Sequence, residues 1–401
     1  MHRLLRTART WAVRLGFAAG RLTGPADRVV LATAHADRLS GNLALIAAEV
    51  RRRGRRPVVL VHAPRRSLRG RLAALAFHVR AGAAIARAAV LVVDDYFFPL
   101  YVVRPRPTTT VAQVWHAGGA LKKFGYSVLG KTFGADEDLV AAVRIHANYD
   151  LCLVSSEAAT PFYAEAFRLP PESFVSSLGI PRTDLLFGAD REARAARVRE
   201  RYGIPADRRV VLYAPTFRGE RIVDARADHL LDFEALAATL AADHVVLVRL
   251  HPFVRARLQI PAGLDNFLVD VSDAPEINEL MLASDVLVTD YSSAVFEFAL
   301  LGRPIVVYAP DLEAYERERD LYIDIRTLPG PVLATTEAVA AWLRAGEVDE
   351  AAIIAFARRW FTVADGQATV RFVDRVVEPA LRGEKVTAAH LTEPAPSPPR
   401  G

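Results

Sequence analysis

The stretch Ser284-Asp-Val-Leu-Val-Thr-Asp-Tyr-Ser-Ser-Ala-Val-Phe-Glu-Phe-Ala-Leu-Leu-Gly-Arg-Pro304 runs through strand, turn and helix in immediate succession. Val286–Val288 is apolar throughout, which suits a parallel strand covered on both faces. The turn gathers Asp290, Tyr291, Ser292 and Ser293. The apolar segment from about Ala294 to Leu301 then reads as a helix, ended by Gly302 and Pro304. The free N–H groups and positive dipole end of a helix start attract anions. Ser292 and Ser293, with Thr289 just before them, therefore make a candidate phosphate cradle at a strand's carboxyl end. Asp290 or Ser292 reads equally as a helix cap, and capping is compatible with phosphate binding.

The same pattern extends in both directions. Short runs rich in Val, Ile and Leu alternate with longer Ala- and Arg-rich segments. The runs are Val29–Leu31, Val58–Val61, Val90–Val93, Val111–Trp115 and Leu151–Val154, then Val210–Tyr213, Val245–Leu250, Phe267–Val271, Val286–Val288 and Ile305–Tyr308. Leu39–Arg53 and Phe233–Ala242 read as intervening helices. This alternation predicts an α/β chain built from two Rossmann-like, doubly wound domains. The pattern breaks near Phe187–Arg191. The expected division is 1–187 for the first domain and 188–380 for the second, with a Pro-rich tail, 381–401, expected to be disordered.

Bulk composition narrows the classes. The 401 residues carry 51 Lys and Arg against 46 Asp and Glu, a net charge of +5. That mild excess suits an anionic substrate or membrane surface and does not point to nucleic acid. Cys152 is the sole cysteine, which excludes an intrachain disulfide and a multi-cysteine metal site, and fits a reducing cytoplasm. No apolar run is long enough to span a bilayer. Met1–Gly20 interleaves Arg3, Arg6, Arg9 and Arg14 with Leu4, Leu5, Trp11, Val13, Leu15 and Phe17. This is not a secretory signal. It reads either as an ordinary first helix with its arginines in water or as a basic amphipathic helix lying on a membrane. A P-loop, a G-x-G-x-x-G turn, an H-E-x-x-H zinc helix and a G-x-S-x-G elbow are all absent.

Four further segments carry chemistry. In Leu247-Val-Arg-Leu-His-Pro-Phe253, a strand delivers Arg249 and His251 to one face near its end, a pair suited to a pyrophosphate; His251 also reads as a structural histidine. In Val114-Trp-His-Ala-Gly-Gly-Ala-Leu-Lys-Lys, a glycine turn leaves His116 at a strand's lip. An imidazole is a natural general base for a hydroxyl nucleophile, although a structural role fits these residues equally. Lys122 and Lys123 follow as steering charges or as a solvated face. In Leu212-Tyr-Ala-Pro-Thr-Phe-Arg-Gly219, Thr216 and Arg218 are candidates for donor phosphate contact or members of a plain loop. Gly179-Ile-Pro-Arg-Thr-Asp-Leu-Leu186 closes a cleft between domains or forms a structural turn.

In this order, and with Tyr308-Ala-Pro-Asp-Leu-Glu-Ala-Tyr315 and Asp365-Gly-Gln-Ala-Thr369 following, the segments resemble the CDP-glycerol glycerophosphotransferase family from about Arg28 to Val377. The resemblance implies a GT-B-like fold with an interdomain cleft. It implies transfer of glycerol phosphate, or a related polyol phosphate, from CDP-glycerol or another CDP-polyol to a hydroxyl of a lipid-linked or growing wall polymer, with release of CMP. It implies that His116 is the base and that His251 assists at the phosphate. Arg249, Thr289, Ser292, Ser293, Thr216 and Arg218 would hold the donor pyrophosphate, and Lys122 and Lys123 would face the acceptor. No cofactor is demanded, and Mg²⁺ on the pyrophosphate is compatible with the scheme. The expected location is cytoplasmic, with peripheral contact on the inner face of the plasma membrane. One departure concerns the acceptor-side loop: the family often has Trp-His-Gly-Thr-Pro where this chain has Trp115-His-Ala-Gly-Gly-Ala. The competing readings are a GT-B glycosyltransferase using a nucleotide sugar, a nucleotide-sugar epimerase, and a non-catalytic nucleotide-sugar-binding module.

Overall fold

The computed structural model describes residues 2–34, 36–62, 68–130, 140, 142–219, 224–254 and 256–392. Its strands form two six-stranded sheets with parallel pairing, one in each of two compact units.

The first unit comprises Met1–His116, Asp136–Arg182 and Gln367–Gly401. Its strands are β1 (Arg28–Thr33), β2 (Val58–Val61), β3 (Ala88–Val93), β4 (Thr110–Gln113), β5 (Leu151–Leu153) and β6 (Phe174–Val175), in the order β2-β1-β3-β4-β5-β6. The helices used below are α1 (His2–Leu22), α2 (Gly41–Arg52) and α3 (Leu68–Arg87). Val30, Ala32, Leu91, Val93 and Val111 meet Ile85, Phe97 and Leu100 in a buried core. Each such side chain adds roughly 1.5–3 kcal/mol of burial free energy.

The second unit comprises Ala117–Ala135 and Thr183–Gly366. Its strands are β7 (Arg209–Ala214), β8 (His244–Val248), β9 (Leu268–Asp270), β10 (Val286–Thr289), β11 (Ile305–Tyr308) and β12 (Val332–Leu333), in the order β12-β11-β10-β7-β8-β9. Strand order runs outward in both directions from the β7–β10 pair, as in a dinucleotide-binding fold. Ligands of such sheets sit beyond the carboxyl ends of that central pair. The helices used below are α4 (Phe233–Leu240), α5 (Ala294–Ala299), α6 (Leu312–Glu318) and α7 (Glu350–Trp360). Val211, Val246, Val288 and Val306 pack with Leu236 and Leu240 of α4.

The two-unit α/β architecture expected from the strand runs is the one that forms. The division falls after Arg182 and not after Phe187, and 367–380 group with the first unit; three local features differ as well. The edge strands β6 and β12 have two residues each, too short to register as apolar runs. Residues 117–135 group with the second unit although they directly follow His116. Gly118 and Gly119 explain this, because each lies against an aromatic ring of that unit. A Cβ on Gly118 would stand 2.7 Å from the Phe361 ring; at Gly119, where φ is +63°, one would stand 2.4 Å from Phe296.

The tail is the third difference. Residues 381–392 are ordered against the first unit, contrary to expectation. Lys385 pairs with Asp150 at 2.5 Å, Ala388 N–H donates to Asp150 O at 3.0 Å, and Val386, Ala388 and Leu391 are buried. The apolar residues of Val386-Thr-Ala-Ala-His-Leu391 outweigh the Pro-rich end that follows. That end, 393–401, lies outside the described residues.

Burial in the first unit also sets a pH dependence. His146 is fully buried and stacks on Phe167 at 3.8 Å. Burial holds its imidazole neutral and lowers its pKa to about 3, against a weaker opposing pull from Asp95. The unfolded chain takes up that proton near pH ~6.5. Stability therefore falls as pH drops below ~6.5 and stops falling below about 3. At about pH 4.5 the loss from this residue is about 2–3 kcal/mol. His146→Phe is expected to flatten the fall in melting temperature between pH 7 and that value, as read by circular dichroism. An unchanged slope would contradict the assignment.

Candidate active site

The loops after β7 and β10 are joined by one buried carboxylate. Asp290 Oδ1 accepts from Thr216 N–H at 2.9 Å, and its Oδ2 accepts from Thr216 Oγ1 at 3.1 Å and from Arg218 Nη1 at 3.0 Å. The Arg218 fork closes on a second carboxylate. Nε donates to Asp311 Oδ2 at 2.7 Å and Nη2 to Asp311 Oδ1 at 3.1 Å. Burial alone would weaken the charge on Arg218; hydrogen bonds and charge from Asp311 and Asp290 outweigh it and raise the pKa. Tyr291 donates to Asp311 at 3.0 Å and stacks on Tyr315 of α6 at 3.5 Å, with the Arg218 guanidinium about 5 Å from both rings. A cavity of about 430 Å³ adjoins this brace, lined in part by Arg218, Asp311, Tyr315, Arg226 and His229.

This geometry changes what three expected donor contacts can do. Thr216 and Arg218 are buried and bond their polar atoms inside the network, so both position the loops, and Arg218 also lines the cavity. Thr289 is fully buried, and its hydroxyl donates to Ala214 O at 2.7 Å, which ties β10 to β7. Ser292 and Ser293 remain half-exposed just before α5. Ser292 Oγ accepts from Ala294 N–H at 3.2 Å, so Ser292 takes the capping role and Asp290 does not. Helix α5 has only six residues. The anion preference here therefore rests on the serine amides and nearby cations more than on a dipole.

The cations gather around His251. Both Arg249 and His251 lie beyond the end of β8, so strand alternation does not pair them. Arg249 Nη2 reaches Ala274 O at 3.4 Å. His251 sits between Phe217 and Phe253, with ring centroids 4.7 and 4.8 Å away. Its Nδ1 accepts from Phe253 N–H at 3.2 Å, which leaves the proton of the neutral ring on Nε2. Burial, then the charges of Lys122, Arg249 and Arg319, lowers its pKa to about 3. His251 is thus a neutral donor at physiological pH.

Lys122 was expected on the acceptor side. It lies in the second unit, joined to Leu321 by an antiparallel bridge, with Nζ 5.4 Å from the Tyr315 ring centroid. Lys123 instead pairs with Asp320 at 3.4 Å. Arg319 went unnoticed in the sequence. It lies over Phe217 at 4.9 Å and Tyr315 at 5.4 Å, and only the fold brings it to His251.

In the first unit, His116 is exposed just past β4. Its Nδ1 stands 3.0 Å from Asp94 O. A carbonyl only accepts, so Nδ1 carries the proton and Nε2 keeps a lone pair, the form a general base needs. Trp115 before it has φ +48°, a conformation that a bulky residue adopts only when its surroundings enforce it. Asn42, at the start of α2, enforces it by donating to Val114 O and Trp115 O, both at 2.9 Å. Arg182 of the Gly-Ile-Pro-Arg segment completes the support: its Nη1 donates to His116 O at 2.6 Å and its N–H donates to Asn42 Oδ1 at 2.8 Å. That segment braces the His116 loop, a role that single-strand patterns do not reveal. Among the described residues, no group of three or more His, Cys, Asp or Glu side chains is arranged to hold a metal ion.

Removing one partner of a buried pair leaves the other charge stranded, at a cost of about 3–5 kcal/mol. Asp311→Asn is expected to lower unfolding free energy toward that range in denaturant titration. Loss of under about 1 kcal/mol, the range of an exposed pair, would rule out the brace.

A family model described as CDP-Glycerol:Poly(glycerophosphate) glycerophosphotransferase matches residues 19–378. The chain is 37% identical over 353 residues to the teichoic acid ribitol-phosphate primase of Bacillus spizizenii (strain ATCC 23059 / NRRL B-14472 / W23), covering 87% of this chain and 90% of that protein. It is 36% identical to the teichoic acid poly(ribitol-phosphate) polymerase of the same strain over 77% of this chain but only 48% of the polymerase. Among solved structures, a histidine-to-asparagine variant of the wall teichoic acid polymerase TagF soaked with CDPG superposes with a TM-score of 0.77 at 22% identity, covering 93% of this chain and 94% of that one. With these matches spanning nearly all of both units, the chain belongs to the CDP-glycerol:poly(glycerophosphate) glycerophosphotransferase family.

Proposed function

We propose that the protein transfers a polyol phosphate from a CDP-polyol to a hydroxyl of a lipid-linked teichoic-acid-type acceptor, releasing CMP. The observation that carries this reading is the gathering of Lys122, Arg249 and Arg319 around a neutral His251 in the second unit, with the Arg319 guanidinium over Phe217, the ring that also flanks His251. Such a set, in a unit that also presents half-exposed serines after β10, suits a diphosphate. The adjoining cavity of about 430 Å³ is large enough for a nucleoside and is the proposed seat of the cytidine.

In the proposed reaction, His116 Nε2 takes the proton of the acceptor hydroxyl. The acceptor oxygen attacks the phosphorus that bears the polyol, and the bond from that phosphorus to the bridging oxygen breaks. CMP leaves with the electron pair. His251 Nε2–H, Lys122 and the Ser292–Ser293 amides offset the charge that develops on the phosphoryl oxygens. Alignment and charge stabilisation supply most of the catalysis in phosphoryl transfer. No step calls for a resident metal, and Mg²⁺ on the diphosphate is compatible with it.

Ribitol phosphate is the favoured cargo and priming the favoured role. The ribitol-phosphate primase aligns over 90% of its own length, whereas a glycerol-phosphate primase of the same strain shows 31% identity over 74% of its length. A lipid-linked acceptor would bring the protein to the inner face of the membrane as a peripheral protein. No helix among the described residues is long and apolar enough to cross a membrane.

The test is CMP release from CDP-ribitol, CDP-glycerol and UDP-sugars with a lipid-linked acceptor analogue. Release of CMP is expected, faster from CDP-ribitol. UDP release from a sugar nucleotide would support the glycosyltransferase reading instead. His116→Ala is expected to cut kcat by about 10²–10⁴-fold with the melting temperature retained. His251→Ala is expected to cut it by about 10²–10³-fold, and His251→Gln by less, because glutamine restores an N–H donor. Since His251 stays neutral down to about pH 3, the acid limb of kcat/KM should be the same in His251→Gln as in the parent. A displaced limb would assign the titrating proton to His251.

A further inference from the structure

Helix α1 packs against α3 through its smallest residues. A Cβ on Gly16 would stand 1.9 Å from Val79 O, and one on Gly82 would stand 2.0 Å from Val13 O. Val13 and Phe17 also face inward, whereas three other large apolar residues of α1 lie on the opposite side. Trp11, Leu15 and Leu22 are 64%, 67% and 90% exposed. They fall at i, i+4 and i+11, one stripe of a helix, with Ala18 between them. The helix carries five arginines and no Asp or Glu.

Beside this stripe lies a cavity of about 700 Å³ in the first unit. Arg6 and Arg14 reach it from α1, Arg104 from the segment after Tyr101, and Arg144 from the segment before Ile145. Trp11 belongs to both the stripe and the cavity wall, and no carboxylate stands among the described residues that line it. Arg14 Nε lies 3.4 Å from Val102 O, which turns its side chain along the cavity. Arg14, Arg104 and Arg144 lining one space, with Trp11 in its wall, match a phosphate group held at the depth where Trp settles in a bilayer.

We infer that this cavity holds the phosphate headgroup of an anionic membrane lipid while Trp11, Leu15 and Leu22 enter the apolar layer beside it. The inference rests on the membrane-surface reading above and adds a headgroup site to it. An unlocalised positive surface would respond to any loss of charge. This site depends on Arg104 and Arg144 specifically, because they complete the cavity from segments distant from α1.

The test is co-sedimentation of the full chain with phosphatidylcholine vesicles with and without phosphatidylglycerol. Binding is expected only to vesicles that contain phosphatidylglycerol. The pair Arg104→Glu with Arg144→Glu should weaken it about tenfold or more, and Arg104→Gln with Arg144→Gln by a smaller factor. Arg197→Glu with Arg257→Glu, an equal charge change on exposed residues of the second unit, should leave it within about twofold. Trp11→Ser with Leu15→Ser should weaken binding too. Melting temperatures of all variants check folding. Equal loss from both charge-reversed pairs, or retention by the cavity pair, would overturn the headgroup site while leaving membrane binding standing. Equal binding to pure phosphatidylcholine would also overturn it. Failure of the parent to bind any vesicle would remove the membrane-surface reading and the site together. Saturable quenching of Trp11 by inorganic phosphate without vesicle binding would assign the cavity to a free anion and overturn the lipid.

Discussion

The bond that organises the second unit is the one between Asp290 and the β7 loop. Parallel pairing aligns β7 and β10 but says nothing about the loops beyond them. Asp290 joins those loops by accepting from Thr216 and Arg218, and Arg218 extends the join to Asp311 at the start of α6. Charges removed from water are tolerable only when paired and hydrogen-bonded, and this trio is both. Asp290 and Asp311 turn their oxygens toward Arg218, while Lys122, Arg249 and Arg319 are the charges that weigh on His251.

The two histidines show how a single main-chain partner sets chemistry. His116 Nδ1 faces a carbonyl, so its Nε2 has a lone pair. His251 Nδ1 faces an N–H, so its Nε2 has the proton. The residue type is the same, yet one is prepared to accept a proton and the other to donate a hydrogen bond. Surroundings reinforce the division. His116 is exposed, whereas His251 is enclosed by Phe217 and Phe253 and kept neutral by that burial and then by nearby cations. Trp115 is held at positive φ by Asn42, which fixes the direction in which His116 leaves the sheet.

Most of the strands were legible because buried parallel strands demand unbroken Val, Ile and Leu runs, a local signal. The site was legible only in part. Ser292, Ser293, His116 and His251 stood out because their neighbours in sequence are also their neighbours in space. Thr216, Arg218 and Thr289 stood out for the same local reason, but the bonds they make within the protein did not. Their real partners, Asp290, Asp311 and Ala214, lie about 70 to 90 residues away, and only the strand order reveals them. Arg319 and Asn42 were missed on the same grounds. The placement of 117–135 was hidden because it depends on the clearance of Gly118 and Gly119 against two rings distant in sequence.

Helix α1 shows why a hydrophobic pattern can mislead even when the helix is recognised. A surface helix ordinarily puts its large apolar residues against the core and small or polar ones outside. Here the contact with α3 is so close that Gly16 and Gly20 leave no room for a Cβ; Val13 and Phe17 turn inward beside them, and Trp11, Leu15 and Leu22 are left outside. Read by composition alone, arginines and apolar residues look intermixed. Resolved by direction, the helix has a tight face of Gly16, Gly20, Val13 and Phe17 inward and a Trp–Leu stripe outward. A single exposed leucine needs no explanation, but a stripe flanked by arginines and free of carboxylates is a surface shaped for an apolar, anionic neighbour. The close crossing thus does two things at once: it fixes α1 on the unit and presents its largest apolar side chains to whatever lies beyond.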